Sequence, residues 1–307
     1  MFFSLTAPQY PSGFSTLLQF NLAAPLNLVG VYGIAIEAMY VLALLPWGQT
    51  RTRPLEIDAP QFQEVVIFEP KFPLSPSNPL KASHMVLGLW AALIAMSTQH
   101  RMFFDLFLTM KMRDEAVGTC HIRKRRQSLQ DAPSFEQTHA NSTVLLEQGG
   151  LGNSSSLAFL GQGNRSNVSS GLTDDSGYMI DPDDSHFGIR YEYLGVRVDS
   201  RGFFLATIDG LTNAAREDKS RRCRDLTGLD PDDTVIFTVI ALQGEGKTLT
   251  YQYAARVMLM TARLLVATKR MEEVRLFLEY DGVKFGEGHV DNVTPLRHDN
   301  RDALTVG

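Results

Sequence analysis

The sequence predicts an α+β protein in which one α-β-α-β-β unit occurs twice. We expect two antiparallel sheets packed with helices about a pseudo-twofold axis. Three observations lead to this prediction: short segments recur in the same order, strand-like runs are rich in Val and Ile, and a two-residue turn is typical of a β-hairpin. A chain of 307 residues with 44 % hydrophobic content is long enough to bury the core of two such units.

Three recurring segments indicate the internal repeat. Residues 106–108 (Leu-Phe-Leu) recur at 276–278, 170 positions later, and residues 117–122 align with 285–290 at a spacing of 168. Upstream, Ile36-Glu37 aligns with Ile208-Asp209 at a spacing of 172. The order is conserved and the spacing nearly constant, which favours a duplication. This alignment implies that the second copy has lost two residues in the turn of its hairpin.

The first helix of each copy is predicted at residues 26–45 and 202–219. Residues 28–45 form an apolar run of 18 residues in which Glu37 is the only charge, close to the length that spans a membrane. The corresponding helix of the second copy carries charged and polar residues and cannot span a bilayer. Since equivalent helices should have similar surroundings, we expect a buried core helix, with membrane association as the alternative.

The remaining elements of each copy are a strand, a second helix and a closing β-hairpin. The strand is predicted at 64–68 and 234–242, and the helix at 80–100 and 250–269. Cationic residues end both second helices, where they suit the negative end of the helix dipole. In the second hairpin, Asp281-Gly282 indicates a type I′ turn, because both central positions must tolerate positive φ.

A polar segment separates the two copies. The predicted organisation is an N-terminal extension at 1–24, a first copy at 25–126, a linker at 127–184, a second copy at 185–293 and a tail at 294–307. The linker is rich in Ser, Asn, Gly and Asp without a sustained apolar period, which predicts disorder. It also holds four of the five N-glycosylation sequons, which matter only if the chain is secreted. The last four residues of the linker, 181–184 (Asp-Pro-Asp-Asp), are interpreted as a turn.

Four short runs within the copies form packing and turn motifs. They are residues 25–27 (Pro-Leu-Asn), 35–40 (Ala-Ile-Glu-Ala-Met-Tyr), 278–283 (Leu-Glu-Tyr-Asp-Gly-Val) and 285–288 (Phe-Gly-Glu-Gly). Through these runs the chain resembles uncharacterised, internally duplicated α+β proteins of filamentous fungi. The resemblance implies no activity.

Several motifs that suggest chemistry have a simpler structural interpretation. Gly246-Lys247-Thr248 lies where a phosphate-binding loop would, but the required upstream glycine is Ala241, so an ordinary turn is favoured. His121 and His289 occupy equivalent strand positions, yet no carboxylate or cysteine recurs at ligand spacing, so no metal site is predicted. Cys223 stands among arginines that would lower the pKa of a thiol, although an ordinary loop is favoured.

Glu37 and Asp209 are the most informative pair of acids, since they occupy matching points of matching helices. Glu37 has apolar neighbours, so we expect its carboxylate to accept a hydrogen bond from the backbone or from a hydroxyl group. We also expect it to lie more than hydrogen-bond distance from Asp209. Asp209 has polar neighbours, so we expect a wetter site and a pKa closer to the ordinary value. This difference argues against a catalytic pair.

Charge and motifs together narrow the function. A net charge of −5 argues against nucleic-acid binding, and the one dense basic run, at residues 123–126, lacks interleaved aromatic residues. We interpret this run as a solvated strand exit, with a nuclear-import signal or a dibasic processing site as the alternatives. No catalytic, cofactor-binding or metal-ligating residue is predicted. A non-catalytic structural or protein-interaction role is favoured. The alternatives are a small-molecule binder or enzyme that uses the cleft between the copies, and a membrane-associated protein.

Overall fold

The computed structural model describes residues 11–73, 78–97, 103–125, 175–243 and 247–293. We call residues 11–125 the first half and residues 175–293 the second half. The elements of the first half are β1 (Phe14–Pro25), α1 (Leu28–Ala43), β2 (Thr50–Arg51), β3 (Leu55–Asp58), β4 (Glu64–Pro70), β5 (Leu80–Lys81), α2 (Ala82–Ala95), β6 (Phe104–Met112) and β7 (Glu115–Lys124). Those of the second half are β8 (Ser176–Ile180), β9 (Phe187–Arg197), α3 (Ser200–Ala214), β10 (Asp225–Leu229), β11 (Val235–Ala241), α4 (Tyr251–Thr268), β12 (Glu272–Tyr280) and β13 (Val283–Asn292).

Each half contributes one large antiparallel sheet, which confirms the predicted α+β class. The first sheet has the strand order β1-β6-β7-β4-β3, and the second has the order β10-β11-β13-β12-β9-β8. Read from β3 and from β10, the two sheets place corresponding strands in the same order, with β8 added at the far edge of the second. Strands β2 and β5 form a separate two-stranded sheet. Each half therefore has two strands that the predicted α-β-α-β-β unit lacks. One strand precedes the first helix (β1 and β9), and the other lies between that helix and the predicted strand (β3 and β10).

Two of the predicted boundaries need correction. The extension predicted at 1–24 contains most of β1, which pairs with β6, so the first half begins before residue 25. The linker predicted at 127–184 ends in an ordered segment, because β8 lies within it and pairs with β9 of the second copy. Residues 127–174 and the tail from 294 lie outside the described residues.

The two hairpins superpose in register at one constant spacing, which corrects the sequence alignment. Met110 pairs with Gly118 and Leu278 pairs with Gly286, and a bulge follows both pairs. The turns Arg113-Asp114 and Asp281-Gly282 both have positive φ at both positions. The spacing is therefore 168 on both strands, Leu108 corresponds to Leu276, and no residue is lost in the turn. The error arose because a slip of two residues in an alternating strand keeps the same face buried.

Helix α1 is the centre of the core. Thirteen of its sixteen residues are buried, so it has no face in solvent. It packs against α2 and strands β3 and β4 of its own half and against α3 and α4 of the other half. This position accounts for its nearly uniform apolar sequence. Among the described residues, no helix combines the length and the apolar character needed to cross a membrane.

The first helices of the two halves begin in the same way. The side chain of Asn27 accepts a hydrogen bond from Gly30 N at 2.9 Å, and that of Asp199 accepts one from Gly202 N at 2.7 Å. Both are N-caps, which satisfy a backbone donor that the helix leaves free. The spacing between the caps is 172, so Glu37 and Asp209 do occupy equivalent positions of α1 and α3.

Candidate functional site

A row of polar contacts joins α1 of the first half to α4 of the second. Glu37 and Tyr40 lie on one face of α1, three residues apart, and Arg256 and Arg263 lie two turns apart on α4. Glu37 binds Arg263, and Tyr40 binds Arg256. The earlier residue of one helix contacts the later residue of the other, so the two helices run antiparallel here. We call these four residues the interhelix ladder.

The Glu37–Arg263 rung is a two-pronged ion pair. Arg263 Nε donates to Glu37 Oε1 at 2.6 Å and Nη2 donates to Oε2 at 2.7 Å, while Gln61 Nε2 donates to Oε1 at 3.2 Å. A planar guanidinium matches a carboxylate in this geometry, which makes such pairs strong and directional. The expectation that backbone or a hydroxyl would satisfy Glu37 is wrong, because the partner comes from a helix 226 residues later in the chain.

Asp209 has a drier environment than the sequence suggested. Its Oδ2 accepts hydrogen bonds from Leu229 N at 3.2 Å and from Asn213 Nδ2 at 3.3 Å. Burial raises the pKa of Asp209 to about 6, although the Leu229 hydrogen bond and the charge of Arg216 oppose the rise. The expectation of an ordinary pKa is therefore wrong.

The close approach of β10 to α3 brings the half-buried Asp209 beside the backbone of β10. A Cβ at Gly228 would lie 1.9 Å from the carbonyl oxygen of Ala206 and 2.4 Å from Gly210 N. Only glycine permits the two backbones to meet this closely. Glu37 and Asp209 thus bind different partners at equivalent positions and form no carboxylate pair.

The Tyr40–Arg256 rung continues into a buried ion pair. Arg256 Nε donates to Asp181 Oδ2 at 2.7 Å and Nη1 donates to the Tyr40 hydroxyl at 3.0 Å, while Nη2 contacts both Asp181 and Asp183. The side chains of Arg256 and Asp181 are 8 % and 5 % exposed. Burial alone would lower the pKa of Arg256, but its carboxylate and hydroxyl partners raise it above its usual value. Burial also raises the pKa of Tyr40.

Asp181 is a residue of this site whose main partner sequence reasoning missed. Its Oδ1 accepts a hydrogen bond from Asp183 N at 2.9 Å, in keeping with a role in a turn. The same carboxylate is also the counterion of Arg256, 75 residues later. The turn pattern was visible in the sequence, whereas the distant cation was not.

A cleft of about 330 Å³ opens beside this ion pair, between the two halves. It is lined by Tyr40, Leu44, Asp181, Asp183, Asp184, Gln252, Tyr253 and Arg256. The Tyr253 hydroxyl donates to Asp184 Oδ2 at 3.0 Å. Burial, assisted by this contact with Asp184, raises the pKa of Tyr253. The polar groups of the cleft are therefore largely bonded to one another.

Leu44 also lines a second and larger cavity between the halves, of about 420 Å³. We call it the Trp47 cavity. Its walls are Leu44, Leu45, Pro46 and Trp47 from the first half and Arg216, Glu217, Asp218 and Lys219 from the second. The guanidinium carbon of Arg216 lies 5.8 Å from the centroid of the Trp47 ring, within the range of a cation–π contact.

The two equivalent histidines do not form a shared site. His121 and His289 each lie between strand residues that point into the core, so both face outward, and they belong to different sheets. His121 Nε2 lies 2.8 Å from Asp105 Oδ1, and His289 Nε2 lies 3.5 Å from Asp291 Oδ2. No group of three or more His, Cys, Asp or Glu residues in the described part of the chain is arranged to hold a metal ion.

The described residues of the other sequence motifs have structural roles. Cys120 and Cys223 are both free and buried. Burial raises the pKa of Cys223 to about 12, so the suggestion of an activated thiolate is wrong. The Lys247 ammonium lies 4.1 Å from the centroid of the Tyr280 ring. Within the basic run, Arg125 pairs with Asp58 at 3.2 Å, and Arg126 lies outside the described residues.

Comparison with known proteins gives no function. No protein-family model matches the chain, and no curated protein matches it. A crystal structure of a conserved protein of unknown function with a hot dog fold, from Alicyclobacillus acidocaldarius, aligns with 94 % of this chain and 96 % of its own at 12 % identity. The TM-score of that alignment is 0.12, which supports no conclusion about a shared fold.

The interhelix ladder makes a prediction about stability. Arg263→Met should lower the free energy of unfolding by about 3 kcal/mol, since Glu37 would keep a buried charge without its partner. Adding Glu37→Met should restore most of this loss, because the lone charge is then removed. Urea unfolding measures both effects. The control is Arg125→Met, which breaks an exposed pair and should cost less than about 1 kcal/mol. Equal losses in Arg263→Met and Arg125→Met would contradict the ladder.

Asp209 makes a prediction about pH. Its folded pKa of about 6 lies above the ordinary value of 3.8, so the folded state holds an extra proton between these two pH values. Its contribution is therefore most favourable below pH 3.8 and is lost as the pH rises through 6. Relative to the parent, Asp209→Asn should gain on the order of 2 kcal/mol in unfolding free energy between pH 4 and pH 7.5. Urea unfolding at both pH values measures the gain, and a difference that does not change with pH would contradict it.

Proposed function

We propose that this protein is a non-catalytic binding protein that arose by internal duplication and takes a small ligand between its two halves. The duplication is supported by the equivalent N-caps of α1 and α3, by hairpins with the same turn and bulge, and by corresponding strands in the same order. The two copies then diverged, so that different residues of each copy line the space between them.

The absence of a catalytic role is proposed from the way the acids at the interface are used. Glu37 is held by Arg263 and Asp181 by Arg256, so both carboxylates act as counterions. A general acid or base needs a pKa near the working pH and access to the reacting group. Asp209 has such a pKa, but it lies between α3 and β10 and lines neither the cleft nor the Trp47 cavity.

The observation that carries the binding proposal is the pair of cavities that share Leu44. Their volumes of about 330 and 420 Å³ fall in the range of small-ligand sites. Both are walled by residues of both halves, and such sites are common at the junctions between structural units. The Trp47 cavity combines four apolar or aromatic residues with charged ones, a composition typical of a pocket that orients an organic molecule.

Fluorescence of Trp47 tests this proposal. The chain has two tryptophans, and Trp90 is 6 % exposed within α2, so Trp47 reports on its cavity. A panel of small anions, neutral molecules and cations should include members that change the fluorescence saturably, and Trp47→Phe should abolish the signal. Leu44→Phe, which adds bulk to the wall that the two cavities share, should weaken binding of those members at least tenfold. Isothermal titration calorimetry checks the affinities. No saturable binding from any class would contradict the proposed function.

A further inference from the structure

Three arginines of the second half contact α1 or the residues that follow it, and they differ in what they bind. Arg263 is paired with Glu37, and Arg256 is paired with Asp181. Arg216 has no such partner. Its Nη2 atom is buried without a hydrogen bond, and its guanidinium forms no hydrogen bond or salt bridge with any residue that the structure describes.

The acids beside Arg216 are already occupied. Glu217 accepts a hydrogen bond from Arg221 Nη1, and Asp218 Oδ1 accepts hydrogen bonds from Ser220 N at 2.8 Å and Ser220 Oγ at 2.6 Å. The charge of Asp209 interacts with Arg216 without a hydrogen bond between them. The neighbouring carboxylates therefore leave the guanidinium charge of Arg216 without a hydrogen-bonded counterion, although its Nη2 atom is enclosed by protein.

A partly buried guanidinium with unused donors is an incomplete arrangement. Removing polar donors from water without giving them acceptors costs free energy, and the cost is recovered when an acceptor binds. A guanidinium binds a carboxylate through charge-assisted hydrogen bonds, which are stronger than those between neutral groups. The guanidinium carbon lies 5.8 Å from the centroid of the Trp47 ring, and both residues line the cavity.

The rest of the Trp47 cavity indicates what the anion is attached to. Leu44, Leu45 and Pro46 form an apolar wall beside the Trp47 ring. Arg216 and Lys219 are balanced in number by Glu217 and Asp218, so the lining as a whole carries no excess positive charge. Such a site favours a single negative charge with an apolar body over a small, multiply charged anion.

We propose that the Trp47 cavity binds a small organic carboxylate, with its carboxylate on the guanidinium of Arg216 and its apolar body against Leu44, Leu45 and Pro46. This assignment rests on the proposed binding function and adds the chemical class of the ligand. It gives Arg216 the carboxylate partner that Arg256 and Arg263 find within the chain.

Benzoate is the probe, with benzamide as its neutral isostere and inorganic phosphate as an anion without an apolar body. Titration followed by Trp47 fluorescence and calorimetry should show saturable binding of benzoate, at least tenfold tighter than that of benzamide or phosphate. Arg216→Met should weaken benzoate binding at least tenfold, and Arg216→Lys, which keeps the positive charge, should weaken it by a smaller factor. The matched control Arg222→Met removes an exposed arginine outside the cavity and should leave the affinity within twofold.

The outcomes separate this assignment from the proposed function. Unchanged benzoate affinity in a folded Arg216→Met variant, or phosphate binding as tight as benzoate binding, would overturn the carboxylate site. If benzoate fails while neutral or cationic members of the panel bind in a manner sensitive to Leu44→Phe, the binding function stands and the carboxylate assignment falls. If nothing binds, both fall. Circular dichroism of each variant verifies that a lost signal reflects binding and not unfolding.

Discussion

The architecture depends on the ionic contacts that the second half makes with α1. A helix buried on every side can pack its apolar surface in several registers, since dispersion and hydrophobic contacts have little direction. The Glu37–Arg263 and Tyr40–Arg256 rungs fix one register, because each donor must meet its acceptor at hydrogen-bond distance. A buried ion pair contributes little net stability compared with an apolar pair, but leaving one member alone is costly. The ladder therefore selects one arrangement of the halves over neighbouring ones.

The ladder also breaks the symmetry between the halves. The N-caps of helices α2 and α4 are Lys81 and Thr250, so Arg256 and Arg263 correspond to Leu87 and Ile94. The first half offers apolar residues where the second offers guanidinium groups, and the α1–α4 contact has no polar equivalent built from these positions of α2. With α1 held in place, the segment that follows it is set against the end of α3, and the Trp47 cavity lies at this junction. The cleft, which shares Leu44 with that cavity, lies between the end of α1 and the start of α4. The binding site that we propose is thus a consequence of the same asymmetry.

Features that depend on neighbouring residues could be predicted from the sequence. The type I′ turn at Asp281-Gly282 and the buried character of α1 follow from backbone preferences and from apolar patterns. The strands that precede and follow the first helix of each half were missed, and so was β8, which lies in the polar segment between the copies. In β1 the apolar run is interrupted by Gln19 and Asn21, which obscured the strand pattern. The Leu-x-Leu pattern was aligned two residues out of register, since an alternating strand looks the same after such a slip. The partners of Glu37 and Asp181 lie 226 and 75 residues away, so no local pattern could reveal them.

The central claim is that the ladder and the packing around α1 join the two halves into one cooperative unit. Native-state hydrogen exchange tests it most directly, because it gives the opening free energy of each amide. The expected result is that the central amides of α1 and α4 exchange with one common free energy, equal to that of global unfolding in urea. If the amides of α1 exchanged through an opening several kcal/mol less costly while those of α4 stayed protected, the first half would open independently and the claim would be contradicted.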